Sequence, residues 1–161
     1  MKNYLHHLDY EFDRELLLQE AKKAKLNSKP YAHTPGAEFM FKGWRIGHHT
    51  SPYIENIMKD FGVSGIGNPR FYWMEPFTKI PTHTDDGTEC SLNFVLTDNA
   101  APIILNDETY CYRAVLLNTT VPHSVVNNEH ERIMLKISIF DKTYEEVLSN
   151  IPLELLSHTG A

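Results

Sequence analysis

The stretch RFYWMEPFTKIPTHTD, residues 70–85, decides the fold class, because here the chain changes from helical patterns to short β patterns. RFYWMEP and TKIPTH are rich in the aromatic and β-branched residues that favour strands. Six more such runs follow: ECSLNFVLT, APIILN, ETYCYR, AVLLNT, HSVVNN and RIMLKISIF. Turn formers such as Gly87 and Asp98-Asn99 separate most of them. About eight short strands at this spacing predict a barrel or a two-sheet jelly roll rather than β-α-β units.

The residues before these strands predict two helices. FDRELLLQEAKKAKL, residues 12–26, has Asp13 as a candidate N-cap, and SPYIENIMKDFG, residues 51–62, has Ser51 as N-cap, Pro52 at the first helical position and Gly62 at its end. NSKPYAHTPGAEF between them has the proline and glycine content of a loop. We therefore expect a mainly β protein, a double-stranded β-helix (jelly roll) with N-terminal helices packed on one sheet.

The chain of 161 residues contains no internal repeat, low-complexity tract or long linker. This length and texture predict a single domain over residues 1–161. Within it we expect a helical and loop part over 1–67, a β-helix core over 69–141 and a helical tail over 142–161.

Composition disfavours several classes of function. The net charge of −6 and the pI near 5.8 lack the basic character of a nucleic-acid-binding protein. No apolar run approaches the roughly 20 residues that span a bilayer, and the N-terminus has no signal-peptide core, so we expect a cytoplasmic protein without membrane or nucleic-acid partners. Cys90 and Cys111 lie in strand-like segments and are predicted to be reduced, packed thiols, with a disulfide as the alternative.

A candidate metal site comes from two separate strand ends. His83 and Asp85 end the second predicted strand, and His123 opens the seventh. Two imidazoles and one carboxylate form the facial triad of non-haem Fe(II) oxygenases. The two-residue offset puts His83 and Asp85 on one side of an extended segment, whereas Thr84 points away and Asp86 is a poorer ligand. The structural alternatives are a polar turn for the first pair and a loop carbonyl partner for His123.

Arg132 opens the eighth predicted strand, nine positions after His123. A guanidinium fork can hold a carboxylate bidentately, so Arg132 is a candidate anion-binding residue. Strand alternation places it on the same face as Met134 and opposite the isoleucines that should pack under the helices. The alternative is a surface ion pair with Glu129 or Glu131.

Other polar and aromatic residues have two interpretations each. Asn93 is either a cosubstrate contact or a satisfied polar group in a strand, and Tyr72 is either a supporting contact or part of the core. Lys136 shares the parity of Arg132, so it would face the interior, which is costly unless the charge is paired. Trp44 could line an entrance or anchor the core. A second metal site is disfavoured because its candidates lie in loop texture without ligand spacing: His33, His48 and His49.

The order of these motifs resembles the Fe(II)/2-oxoglutarate-dependent oxygenases of the double-stranded β-helix, cupin-like fold. RFYWMEPFTKIPTHTD and LLNTTVPHSVVNNEHERIMLKISI, within residues 69–141, are most similar to the small aspartyl/asparaginyl β-hydroxylase and prolyl-hydroxylase-like branch. By this resemblance the metal ligands are His83, Asp85 and His123. Arg132 matches the residue that binds the cosubstrate, and Asn93 and Tyr72 are the candidates for further cosubstrate contacts.

The resemblance implies Fe(II) as the metal, 2-oxoglutarate as cosubstrate and ascorbate as a supporting reductant. The implied reaction couples decarboxylation of 2-oxoglutarate to succinate with hydroxylation of an amino-acid, peptide or small-molecule substrate. The strand SLNFVL lacks the additional arginine that aspartyl-hydroxylase relatives often carry. Because of this difference, the substrate of those relatives is not assigned to this chain. Two alternatives remain open, a metal-dependent cupin enzyme without 2-oxoglutarate and a non-catalytic jelly-roll binding module.

Overall fold

The computed structural model describes residues 4–31, 43–85 and 87–157. Its helices are α1 (Arg14–Lys25), α2 (Pro52–Asp60) and α3 (Tyr144–Asn150), followed by a short 3-10 helix at Leu153–Leu155. Its strands are β1 (Leu5–His7), β2 (Lys29–Pro30), β3 (Trp44–His48), β4 (Gly67–Met74), β5 (Lys79–His83), β6 (Cys90–Val95), β7 (Ile103–Leu105), β8 (Glu108–Tyr110), β9 (Ala114–Leu117), β10 (His123–Val126) and β11 (Arg132–Ile139).

The strands form two antiparallel sheets. The larger has the order β1-β9-β6-β11-β4-β3-β2, and the smaller has the order β5-β10-β7-β8. The eight strands predicted from the sequence are β4 to β11, and they alternate between the two sheets along the chain except that β7 and β8 both lie in the smaller sheet. The mainly β class and the jelly-roll architecture are therefore confirmed.

The larger sheet carries a hydrophobic core on each face, as strand alternation requires. On β4, Phe71 and Trp73 pack in the cluster that contains the helices, whereas Tyr72 and Met74 pack in the cluster between the two sheets. Strand β11 follows the same rule, since Ile133, Leu135, Ile137 and Ile139 join the helix cluster and Met134 joins the other. The second face, closed by the smaller sheet, is the one that can hold a site.

The two predicted N-terminal helices are present with the predicted caps. Asp13 accepts a hydrogen bond from the Leu16 amide at 3.0 Å at the start of α1. Ser51 accepts one from the Ile54 amide at 3.2 Å at the start of α2, where Pro52 occupies the first turn. Both helices bury residues in the helix cluster of the larger sheet, so the prediction of helices packed on one sheet is confirmed.

Three strands lie where the sequence predicted only helix and loop. The most important is β3, which extends the larger sheet beside β4 and places Trp44 and Ile46 in the core between the sheets. Its sequence, WRIGH, is short and contains Gly47, which weakens a strand pattern. Packing explains that glycine, because a Cβ there would lie 3.1 Å from the Trp73 ring.

The prediction of two packed thiols is right for Cys90 and wrong for Cys111. Cys90 is buried in β6, whereas Cys111 is exposed, and neither forms a disulfide. Cys111 directly follows β8, which ends at Tyr110 and is an edge strand of the smaller sheet with no buried residue. Separately, no helix within the described ranges has the length and apolar character needed to cross a membrane.

Candidate metal centre

The pairing of β5 with β10 brings the two candidate histidines together. These strands are antiparallel neighbours, and His123 stands directly opposite His83 in their register. Their ring centroids are 4.4 Å apart. Asp85 follows just beyond the end of β5, where its amide donates a hydrogen bond to the Thr119 carbonyl at 3.2 Å. Residues about 40 positions apart in sequence therefore share one strand end because β5 and β10 are adjacent.

One oxygen of Asp85 faces both histidines. Oδ1 lies 3.2 Å from His83 Nε2 and 3.3 Å from His123 Nε2. The three candidate ligand atoms all lie within 4.8 Å of one another. Over the described ranges, this is the one group of three histidine, cysteine or acidic side chains close enough to hold a metal ion.

Backbone carbonyls orient both imidazole rings. Nδ1 of His83 lies 2.8 Å from the Pro81 carbonyl, and Nδ1 of His123 lies 2.7 Å from the Val121 carbonyl. A carbonyl only accepts, so each Nδ1 carries the proton and donates it, which leaves Nε2 of a neutral ring as an acceptor facing Asp85. Metal-binding histidines are held in this way. Three hydrogen-bond acceptor atoms that converge on one point can serve as ligands of a divalent cation. Two imidazole nitrogens and one carboxylate oxygen are a ligand set that suits Fe(II).

Lys136 contacts the other oxygen of Asp85. Its Nζ lies 2.7 Å from Asp85 Oδ2, and the two side chains are only 12% and 10% exposed. The predicted cost of an inward-facing lysine is thus offset by an ion pair. The two oxygens of the Asp85 carboxylate therefore have different partners, since Oδ1 faces the histidines and Oδ2 faces the Lys136 ammonium.

This pairing perturbs both charged groups. Burial alone would raise the pKa of Asp85, but the Lys136 ammonium and the adjacent His123 and His83 side chains hold that pKa well below its usual range. Burial alone would lower the pKa of Lys136, but Tyr72 and Asp85 raise it above its ordinary value. Asp85 therefore stays ionised, which is the state a metal ligand needs.

Arg132 is buried, with only 4% of its surface exposed. Its Nη2 donates to the Tyr112 hydroxyl at 3.2 Å, and Nη1 lies 3.2 Å from Met134 Sδ. Its Nε is buried without a hydrogen-bond partner, and no carboxylate pairs with this guanidinium among the residues that the structure describes. The alternative of a surface pair with Glu131 is wrong, because Glu131 bonds to Lys25 at 3.2 Å.

One cavity between the sheets connects the histidine cluster with Arg132. Asn93 is buried in its wall, where Oδ1 accepts a hydrogen bond from Ser91 at 2.8 Å and Nδ2 lies 3.4 Å from the Tyr112 hydroxyl. The ring of Tyr72 lies 5.6 Å from the Lys136 ammonium. All six site residues predicted from the sequence line this cavity: Tyr72, His83, Asp85, Asn93, His123 and Arg132.

Two further cavity residues were missed by sequence reasoning. Tyr112, which bonds to Arg132, lies in irregular chain after β8, where no periodicity assigns a side-chain direction. Tyr31 lies next to β2, in a segment that the proline content predicted as loop, and burial raises its pKa to about 12. Trp44 is a buried part of the cavity wall, with its ring 6.4 Å from that of His83, so it is both core and lining.

Among the described residues, His48 and His49 do not form the disfavoured second histidine site. His49 Nε2 lies 2.9 Å from Glu20 Oε1, and His48 is exposed. His33 and the rejected ligand candidate Asp86 lie outside the described residues. The contact with Glu20 on α1 gives His49 a structural role.

Comparison with protein-family models and with curated protein sequences finds no match. Solved structures do match. A prolyl-4-hydroxylase from Pseudomonas putida has a TM-score of 0.61 at 15% identity, over 84% of this chain and 93% of that chain. The viral collagen prolyl hydroxylase of Paramecium Bursaria Chlorella virus-1, in its 2OG complex, has a TM-score of 0.60 at 9% identity, over 84% and 94%.

A third structure is an oxidoreductase of the 2OG-Fe(II) oxygenase family from Burkholderia pseudomallei, with a TM-score of 0.54 at 14% identity over 80% of each chain. At these identities the likeness is one of fold. The resemblance drawn from the sequence is confirmed at that level: this chain has the double-stranded β-helix fold of the Fe(II)/2-oxoglutarate-dependent oxygenase superfamily.

Proposed function

We propose that this protein is a non-haem Fe(II)- and 2-oxoglutarate-dependent dioxygenase that hydroxylates an amino-acid, peptide or small-molecule substrate. One observation carries the proposal: a histidine-aspartate-histidine cluster shares a cavity with a buried arginine that has no carboxylate partner among the described residues. Neither the cluster nor the arginine would be decisive alone. Together they match the two ends of a 2-oxo diacid, because a metal in the cluster would bind the 2-oxo acid end and the arginine would bind the far carboxylate.

The cluster would hold the metal through Nε2 of His83, Nε2 of His123 and Oδ1 of Asp85. Bound Fe(II) would supply dioxygen activation, coupled to decarboxylation of 2-oxoglutarate. The chain contributes the orientation of the three donors, since carbonyls fix both rings and Lys136 fixes the carboxylate. Three protein ligands leave positions for cosubstrate and dioxygen.

Arg132 would bind the far carboxylate of 2-oxoglutarate. A buried guanidinium with an unpartnered Nε is costly, and a carboxylate would satisfy it with charge-assisted hydrogen bonds. Tyr112 holds the guanidinium from one side, and Asn93 contacts Tyr112, so the two polar residues would support the same pocket. The apolar wall, including Trp44 and Met134, would exclude water around the metal.

The same arginine favours this function over a cupin enzyme that uses no cosubstrate. We would measure 2-oxoglutarate binding to anaerobic, metal-loaded protein for the wild type, Arg132→Met and Arg132→Lys. Loss of a charged hydrogen bond is worth about 1.5–3 kcal/mol, so Arg132→Met should weaken binding roughly 10- to 150-fold. Arg113→Met, at a side chain 57% exposed, is the matched control.

The outcomes separate the three candidate functions. Unchanged affinity in Arg132→Met would show that the arginine does not bind 2-oxoglutarate and would favour the cupin alternative. Absence of any stoichiometric metal after reconstitution would favour a non-catalytic binding module. Succinate release in the presence of ascorbate, dependent on both Asp85 and Arg132, is the result that the proposal requires.

A further inference from the structure

A second arginine, Arg70, lies beside Lys136 in the larger sheet, at a different position along the strands from Arg132. In the register of β11 with β4, Arg132 stands beside Met74 and Lys136 stands beside Arg70. Four residues separate the two positions on β11, which is about 13 Å at roughly 3.3 Å per residue. Arg70 is therefore the strand neighbour of Lys136, the residue that bonds to Asp85.

Arg70 lines a cleft that continues from the metal site. Asp85, Lys136, Tyr31 and Tyr72 belong both to this cleft and to the cavity that holds the histidines. The guanidinium carbon of Arg70 lies 5.7 Å from the centre of the Phe140 ring, which supports its orientation. The cleft is thus a second approach to the same carboxylate.

Arg70 is half-buried, and the protein does not satisfy its guanidinium fully. Its Nε is buried without a hydrogen-bond partner, and no acidic side chain pairs with it over residues 4–31, 43–85 and 87–157. The acidic residue of the cleft, Asp85, is already bonded to Lys136. The hydroxyl-bearing residues Ser138 and Thr88 line the same cleft and can donate hydrogen bonds.

We propose that Arg70 binds a carboxylate group of the substrate. The inference rests on the proposed function, because it assigns the occupant of this cleft as the molecule that is hydroxylated. A single guanidinium suits a planar monoanion held bidentately, whereas a phosphate dianion would call for further cations. The substrate is then a carboxylate-bearing small molecule or a chain end, such as a free amino acid or a peptide C-terminus, and a neutral compound is disfavoured.

Acetate is the minimal probe of this site, with acetamide as its neutral isostere and methyl phosphate as the competing anion. We would titrate each into protein loaded with Zn(II) and 2-oxoglutarate, so that Arg132 and the metal are already occupied, and follow binding by NMR. Acetate should bind at least about tenfold more tightly than acetamide, and Arg70→Met should remove that preference. Arg70→Lys, which keeps the charge without the fork, should retain part of it, and Arg113→Met should retain all of it.

Equal acetate binding by the wild type and Arg70→Met would overturn the inference, as would equal binding of acetate and acetamide. Tighter binding of methyl phosphate than of acetate would overturn the carboxylate assignment. A protein that loads neither Zn(II) nor 2-oxoglutarate would instead refute the proposed function. Acetate titration of the metal-free Arg132→Met variant would then still test Arg70. Thermal unfolding and 2-oxoglutarate affinity of Arg70→Met, both expected to match the wild type, show that the variant is folded.

Discussion

Removal of the Lys136 ammonium should destabilise the metal-free protein far more than the metal-loaded protein. Lys136→Met keeps the length and apolar character of the stem and deletes the charge. In the metal-free state this leaves the Asp85 carboxylate buried beside two imidazoles without its cation. In the metal-loaded state a divalent ion would neutralise the same carboxylate.

The structure sets the size of the effect. Breaking a buried ion pair by removing one partner costs about 3–5 kcal/mol. We expect the lower end, about 3 kcal/mol, because His83 and His123 also contact Asp85. For a protein of this size that loss lowers Tm by about 6–12 °C. Since the metal relieves the unpaired carboxylate, linkage requires that Lys136→Met also binds the metal more tightly.

The assay is urea unfolding of chelator-treated and Zn(II)-saturated protein, with Lys79→Met as control at an exposed lysine of β5. The double variant Asp85→Asn/Lys136→Met should lose less stability than the sum of the single variants, because the two side chains interact directly. If metal-free Lys136→Met loses no more than about 0.5 kcal/mol of stability beyond the Lys79→Met control, the buried ion pair is refuted. An equal loss with and without Zn(II) would refute Asp85 as a ligand.

Three further predictions concern the scaffold. At pH 8 a thiol reagent should modify Cys111 rapidly and Cys90 only on unfolding, because burial raises the pKa of Cys90 to about 12. Cys111→Ser should abolish the fast reaction, whereas two rapidly reacting thiols in the wild type would contradict the packing of β6. Gly67→Ala should lower the free energy of unfolding by about 1–3 kcal/mol, since its Cβ would lie 2.7 Å from Ile137 Cγ2; wild-type stability in urea would contradict that clash. Thr143→Ala should lower the free energy of unfolding by about 0.5–2 kcal/mol, because it removes the capping box of α3. Thr143→Ser should keep the capping box, so equal stability of the two variants would count against the cap.

Long strands with strict alternation were predictable from sequence. In β11 the apolar residues at Ile133, Leu135 and Ile137 alternate with Arg132, Met134 and Lys136, so a period of two separates the helix face from the cavity face. The same parity placed His83 and Asp85 on one side of their segment. These features are local, and local pattern is sufficient for them.

Features that depend on strand register were not predictable. The ion pair between Lys136 and Asp85 joins residues 51 positions apart, and the neighbouring position of Arg70 follows from the pairing of β11 with β4. Strand β3 was missed because five residues with a glycine give too weak a pattern, although pairing with β4 stabilises it. Cys111 was misplaced because it follows β8, an edge strand of the smaller sheet in which no residue is buried.

One chain should bind one Fe(II) through His83, Asp85 and His123 while the cavity holds 2-oxoglutarate. Anaerobic titration of the protein with Fe(II), with and without 2-oxoglutarate, tests it through the visible charge-transfer band of the iron chelate. We expect a band that needs both components, saturates at one iron per chain and disappears in His123→Ala. No band at saturating iron and 2-oxoglutarate, or an unchanged band in His123→Ala, would contradict it.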